Sequence, residues 1–276
     1  MKRFVTRKRV ILTVCLLLAS VLGIAGTAGY LAFVRGPENP PADACKGRPA
    51  ESARPAVVAA GASITQGTLG GSWVEGLRAK PEFSGYEFVN AGVNGNTSAD
   101  LRRRVDTDVV ACHPAAVMIL VGTNDVRSGV PVPEYLDNLA AIVDRIKTGA
   151  GARVALMSLP PLGEDLGAEM NRTLAGYNAA IKDLAARAKV GYVPVYERMA
   201  EILGRQGERP AYDFSFALSL WTATQHYVFG LDWDDIARGG GRELLIDHIH
   251  LSDRGAAEVR ELSAGWLKET AREDRG

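Results

Sequence analysis

The chain is short of cysteine: 276 residues include three, with no CxxC pair and no zinc-ligand spacing among them. Net charge is also missing. Lys+Arg and Asp+Glu both number 32, so a broad electrostatic attraction to nucleic acid is not expected. No internal repeat recurs at a fixed period, and the 30 glycines and 13 prolines are spread along the chain instead of forming one low-complexity tract. What remains, 47% hydrophobic and 23% charged, suits one α/β domain with a substantial core and an appendage.

Charge is absent locally as well. Met1–Val10 carries Lys2, Arg3, Arg7, Lys8 and Arg9, and Val10 to Val34 then runs twenty-five residues without a charge. At about 1.5 Å per residue this stretch crosses roughly 30 Å of hydrocarbon. A buried core helix rarely lacks a polar face over such a length. Secretory apolar regions are shorter, roughly 7–15 residues, although Ala25-Gly26-Thr27-Ala28 offers small residues for cleavage. The length favours a retained transmembrane anchor (1–34) over a cleaved signal peptide. The basic flank then places the N-terminus inside and everything after Val34 outside the cell membrane; with cleavage the product would be secreted. Cys15 lies in the apolar span and follows Val14, a poor context for lipidation. Cys45 and Cys112 would both face an oxidising exterior, where a disulfide stapling the linker to the domain and a pair of free thiols both stand open.

Residues 35–54 hold Gly36-Pro37, Asn39-Pro40-Pro41 and Arg48-Pro49 and read as a Pro-rich tether. The domain proper spans 55–270. Apolar runs at 55–60, 86–90, 115–121, 153–158 and 191–195 read as five strands, nearly continuous in apolar residues as in a sheet covered on both faces. Between them lie helical stripes: Leu101, Val105 and Val109 behind Thr97-Ser98; Leu136, Leu139, Ile142, Val143 and Ile146; Leu174, Tyr177, Ile181 and Leu184. This alternation predicts a mostly parallel, doubly wound, three-layer α/β/α sandwich. An insertion at 205–245 breaks the rhythm. Tyr212, Phe214, Phe216, Trp221, Tyr227, Phe229 and Trp233 make it dense in aromatics. A satellite hydrophobic cluster and a wall or lid for substrate account for it equally well.

Ligands of such folds bind beyond the carboxyl ends of the strands. Four segments there carry chemistry: Gly61-Ala62-Ser63-Ile64-Thr65, the loop from Asn90 through Gly92 to Asn96, Gly122-Thr123-Asn124-Asp125, and Asp247-His248-Ile249-His250. Ester cleavage needs a hydroxyl, a base to take its proton, an acid to orient the base, and donors aimed at the oxyanion. Ser63 can supply the hydroxyl and its own N–H. Gly92 lets backbone approach a ligand, and the Asn124 side-chain amide can donate. Asp247 and His250, three apart on one loop, can orient and abstract. Each element alone is ordinary, since a serine after a strand is usually a turn residue; it is their consistent order at four predicted ligand-side loops that counts.

These four segments make the stretch from about Pro55 to Leu267 resemble the SGNH hydrolases, the GDSL esterase/lipase family. The resemblance implies a flavodoxin-like fold and ester hydrolysis without a metal or other cofactor. It implies Ser63 as nucleophile, His250 as base and Asp247 as its partner, with Ser63 N–H, Gly92 and Asn124 forming the oxyanion hole. The family usually carries Asp where this chain has Ala62, a carboxylate outside the triad.

Among rivals, His248 would point away from His250 in an extended stretch. His113 enters the third strand at the wrong end of the sheet, and His226 sits in the aromatic insertion. Asp253 is a runner-up acid that helix capping explains equally. Asp125 reads as structural, and Asn94 and Asn96 as turn formers. The expected activity is extracytoplasmic hydrolysis of an acylated glycan, a lipid or a small ester. A catalytically weak glycan- or lipid-binding module, and an acyltransferase using the same site, are the alternatives.

Overall fold

The computed structural model describes residues 2–49, 54–205, 207 and 209–273. The side chains of residues 2–6, 271 and 273, Lys2 and Arg3 among them, lie outside the described residues, as do linker residues 50–53 and insertion residues 206 and 208.

The chain begins with α1 (Lys2–Gly29), prolonged by a wider π-type turn over Tyr30–Val34. The stretch Arg7–Val34 is long and apolar enough to be a candidate membrane span. Leu12, Leu16, Leu17, Leu18, Val21 and Leu22 are all exposed, so no protein surface covers the body of this helix. Among the described side chains of this helix and its extension, only those at the end are buried: Ala28 and Ala32 are fully enclosed.

The short α2 (Pro41–Ala44) comes next; Pro41 opens it, where a proline ring suits the first helical position. The domain follows as β1 (Ala56–Gly61), α3 (Ser63–Gln66), α4 (Trp73–Arg78), β2 (Glu87–Gly92), α5 (Ser98–Asp108), β3 (Pro114–Leu120), α6 (Thr123–Ser128), α7 (Val132–Ala150), β4 (Arg153–Met157), α8 (Glu169–Ala188), β5 (Gly191–Val193), α9 (Val195–Leu203), α10 (Phe216–Tyr227), α11 (Trp233–Gly239) and α12 (Asp253–Glu273). The strands form one sheet in the order β2-β1-β3-β4-β5, every neighbouring pair parallel. Helices α5, α7 and α8 pack on one face, and α4, α9 and α12 on the other. This is the expected three-layer sandwich. Val57, Val58, Val117, Met118, Ile119 and Leu156 are sealed within it. Each expected strand is present, but β5 stops at Val193 because Pro194, lacking an N–H for the ladder, sits at the start of α9 instead.

The linker differs from a loose tether. Its described part, 35–49, lies along β2, an edge strand with unpaired backbone groups. Asn39, at φ 52°, accepts from Asn90 N–H at 3.1 Å and donates through Nδ2 to Phe88 O at 2.8 Å. Arg48 pairs with Glu87 at 2.8 Å. Cys45 and Cys112 form a disulfide, leaving Cys15 as the free cysteine. A segment without apolar periodicity can still be ordered when its polar groups complete an open sheet edge.

Two outcomes are expected from this staple. Alkylation of the denatured, unreduced protein should add one label, and alkylation after reduction three. Closing a loop of 67 residues restricts the unfolded chain by an amount worth about 2–4 kcal/mol. Cys45→Ser with Cys112→Ser should therefore lower stability by about that amount in urea titrations.

Candidate active site

Ser63, the candidate nucleophile, stands where a strand turns abruptly into a helix. Gly61 ends β1, Ala62 caps α3, and Thr65 N–H and Gln66 N–H both donate to Ala62 O, at 3.1 and 2.9 Å. A Cβ on Gly61 would stand 2.2 Å from Thr65 Oγ1 and 2.4 Å from Leu120 O, so only glycine fits. Arg104, from α5, braces the turn by donating to Gly61 O at 2.9 Å and Asn96 Oδ1 at 2.7 Å. Backbone and Arg104 thus hold this corner without a carboxylate at position 62. Ser63 is the first residue of α3, so its N–H has no carbonyl partner within the helix.

The opposing loop is fixed by a buried carboxylate. Glu164 accepts the N–H groups of Glu243, Leu244 and Leu245, the shortest at 2.6 Å. Ile246 N–H donates to His250 O at 2.8 Å and closes the loop. Inside it, Asp247 Oδ1 accepts His250 N–H at 2.8 Å and Ile249 N–H at 3.2 Å. Asp247 Oδ2 lies 2.7 Å from His250 Nδ1, and His250 Nε2 lies 3.0 Å from Ser63 Oγ. A carboxylate can only accept, so Nδ1 carries the proton and Nε2 is left free to accept from the Ser63 hydroxyl. The three expected residues come together in the order that nucleophilic catalysis requires.

One partner was not legible in the sequence. Ser219, fully buried on α10, donates through Oγ to Asp247 Oδ2 at 2.6 Å. Its sole signal is an inward-facing hydroxyl in an otherwise uncharged helix, which has many ordinary explanations. Burial pushes the Asp247 carboxyl up, but the adjoining His250 and the bonds from His250 and Ser219 outweigh it, holding the group well below the usual carboxylate range.

Asn124, on α6, is fixed at both ends of its amide. Oδ1 accepts from Arg127 at 3.1 Å and Nδ2 donates to Asn96 O at 2.9 Å, which leaves one amide hydrogen over. Asp125 next to it is structural, as expected: it accepts Ser98 N–H at 2.9 Å and Ser98 Oγ at 2.5 Å, joining α6 to the start of α5.

Gly92 does not fit the donor role expected of it. It is buried, its N–H donates to Asn90 Oδ1 at 3.0 Å, and a Cβ there would stand 2.2 Å from Gln66 N. It is the glycine that lets α3 lie against β2. Further along the loop, Asn94 N–H is taken by Gln66 Oε1 at 2.6 Å and Asn96 N–H by Val93 O at 3.2 Å. Between them Gly95, at φ 76°, is exposed and faces open space.

The rival histidines have other surroundings. His113 follows the turn at the entry to β3, and His226 stacks on Trp233 with ring centroids 3.8 Å apart. His248 is buried at φ 75°, and burial together with Arg242 pushes its imidazole pKa down. Asp253 opens α12. The insertion forms the satellite cluster weighed for it, and it also brings Phe214 near His250. Ala223, Trp233, Ile236 and Ala237 form a second cluster with Ala28, Ala32 and Leu69. Phe214 lies 6.4 Å from the His250 ring, with the Arg127 guanidinium 4.4 Å above it and donating to Tyr212 Oη at 2.8 Å. Among the described residues, no group of three or more His, Cys, Asp or Glu is arranged to hold a metal ion.

Comparison with known proteins speaks to the family and the fold. The family model for GDSL-like lipases and acylhydrolases matches residues 59–258. The chain belongs to this family. Among curated relatives, an acetylxylan esterase of Geobacillus stearothermophilus is 28% identical over 129 residues, 43% of this chain and 58% of its own. Esterase TesA of Pseudomonas aeruginosa is 30% identical over 128 residues, 45% of this chain and 60% of its own. The chain thus spans less than two thirds of the length of either. A solved acetyl xylan esterase, AlAXEase, superposes with a TM-score of 0.58 at 19% identity, covering 77% of this chain and 99% of its own; at that identity the likeness speaks for the GDSL fold.

Two tests follow from the Asp247 environment. Ser219→Ala should lower kcat about tenfold with KM little changed, because one hydrogen bond to a charged group is worth about 1.5–3 kcal/mol, part of it felt as a looser His250. The depressed folded-state pKa of Asp247 makes its ionisation a stabilising contribution, complete above the unfolded value near pH 4 and lost as pH falls below it, in the ~pH 4-to-acid window. The melting temperature of Asp247→Asn should accordingly fall less than that of wild type between about pH 5 and pH 3.

Proposed function

We propose that this chain is a serine esterase whose domain, residues 55–270 with the insertion 205–245, works outside the membrane that α1 spans. The observation that carries the reading is the unbroken relay from Ser63 Oγ to His250 to Asp247, at 3.0 and 2.7 Å. His250 Nε2 takes the Ser63 proton as Oγ bonds to the ester carbonyl carbon. The buried Asp247 carboxylate stabilises the imidazolium so formed. Negative charge moves to the carbonyl oxygen, which accepts from Ser63 N–H and the spare Asn124 amide hydrogen, with Gly95 N–H as the third donor in place of Gly92. As the tetrahedral intermediate collapses, the C–O bond to the alcohol breaks and His250 returns its proton to the leaving oxygen. Water, deprotonated by the same nitrogen, then releases the acid from Ser63.

The substrates are acylated glycans, lipids or small esters. Acetylated glycans have support from the acetylxylan esterase relative, and Phe214 and Tyr212 give the acyl side of the site an aromatic wall. Alanine at position 62 does not favour a mere binding module, because the turn it caps is held by backbone bonds and Arg104.

Hydrolysis of p-nitrophenyl acetate by the purified full chain tests this reading. Ser63→Ala should abolish turnover. Asn124→Ala should lower kcat by about 10²–10³-fold with KM nearly kept, as loss of one oxyanion donor does elsewhere. Full turnover in Ser63→Ala, or an Asn124→Ala effect confined to KM, would contradict it.

A further inference from the structure

The distribution of exposed apolar side chains is not random. Among the described residues, every large exposed hydrophobic lies either in α1 and its Tyr30–Val34 extension or at Val93, Phe216, Trp221, Val228, Phe229 and Leu231. Five of these six fall in Phe214–Leu231, eighteen residues with no Asp, Glu, Lys or Arg, bounded by Asp213 and Asp232. A soluble surface helix would carry charge on its outer face. Here α10 turns Ser219, Thr222 and Ala223 inward and shows Phe216 and Trp221, which are 63% and 53% exposed, outward.

This patch adjoins the end of α1. The Phe33 and Phe216 rings lie 4.9 Å apart, and a Cβ on Gly29 would stand 3.7 Å from Leu220 Cδ1. The joint is held by more than packing. Thr68 Oγ1 donates to Ala32 O at 2.8 Å, Gln66 Nε2 to Arg35 O at 2.9 Å, and Asn94 Nδ2 to both Ala32 O and Phe33 O at 3.2 Å. Carbonyls at the end of a helix need such partners, and here the catalytic domain supplies them. The anchor and the domain therefore keep one relative orientation at this joint.

The level of the joint follows from length. Val10 to Gly29 is twenty residues, about 30 Å of helix and enough for the hydrocarbon core. Tyr30 then stands at the outer boundary, where Tyr and Trp concentrate. Helix α10, packed on residues 28–33, sits at the same depth.

We propose that the outer face of residues 214–231 is a lipid-docking surface, with Phe216, Trp221 and Phe229 seated in the interfacial layer of the bilayer beside the exit of α1. The proposal rests on α1 being a retained membrane anchor. It places the helix that carries Ser219, and so the partner of Asp247, in contact with lipid, and it turns this side of the site toward esters borne on the membrane surface.

Tryptophan fluorescence of the full chain in phosphatidylcholine vesicles tests it. Trp73 and Trp233 are buried in the domain, and the partly buried Trp266 of α12 packs against Gly191 of β5, so the difference between wild type and Trp221→Phe in each quencher reads Trp221. Flotation of the protein with the vesicles reads the anchor; quenching by lipids brominated near the head of the acyl chain, compared between wild type and Trp221→Phe, reads the docking. The expected result is flotation of both proteins, with Trp221→Phe losing more than half of the bromolipid quenching. A protein that fails to float overturns the anchor and the docking with it. Flotation with equal quenching in both proteins, and Trp221 open to aqueous iodide, overturns the docking alone. Shielding of Trp221 from iodide and bromolipid alike means that protein, such as a second copy of this chain, covers the face, which also overturns it.

Discussion

A fully buried carboxylate, Asp247, is the constraint on which the site depends. Burying a charge is costly unless it is paired and hydrogen-bonded. Asp247 meets that demand with two backbone N–H groups, the Ser219 hydroxyl and the His250 imidazole. The same bonds that make the charge tolerable give His250 one tautomer and one orientation. Satisfying the buried group and fixing the His250 ring are a single arrangement.

The requirement propagates outward. The loop carrying Asp247 is pinned by a second buried carboxylate, Glu164, and Ser219 is delivered by α10. Helix α10 in turn packs on the last turns of α1 and its extension, and the carbonyls of Ala32, Phe33 and Arg35 at that end are capped by Thr68, Gln66 and Asn94. Gln66 ends the short helix that begins with Ser63. Ser63, Asp247 and the end of the apolar helix therefore share one contiguous set of contacts.

Much of this could be read from residue order. The strands showed because a sheet covered on both faces needs unbroken apolar runs, and the meeting of Ser63, Asp247 and His250 could be anticipated because parallel topology sends ligand-side loops to one edge. Ser219 did not, since a hydroxyl on an inward helix face has the same sequence signature whether it faces a backbone carbonyl or a catalytic acid. Gly92 was misplaced for a related reason. A glycine that admits a ligand and one that admits a neighbouring helix look alike until the helix is seen, and here α3 occupies the space. The linker looked loose because its order comes from a disulfide and from bonds to an open sheet edge, neither of which leaves an apolar period. Insertion 205–245 has no repeat of strand and helix to betray its fold, so its aromatics announced only that something would be covered.

The central claim is that Ser63 is the activated nucleophile. Peptide mapping of the full chain after reaction with a fluorophosphonate tests it most directly, because the reagent bonds to a serine only where a neighbouring base and oxyanion donors make it reactive. The account predicts one adduct per chain, on the peptide containing Ser63, and its loss in His250→Ala. An adduct on any other residue, or labelling of Ser63 that is undiminished in His250→Ala, would contradict it.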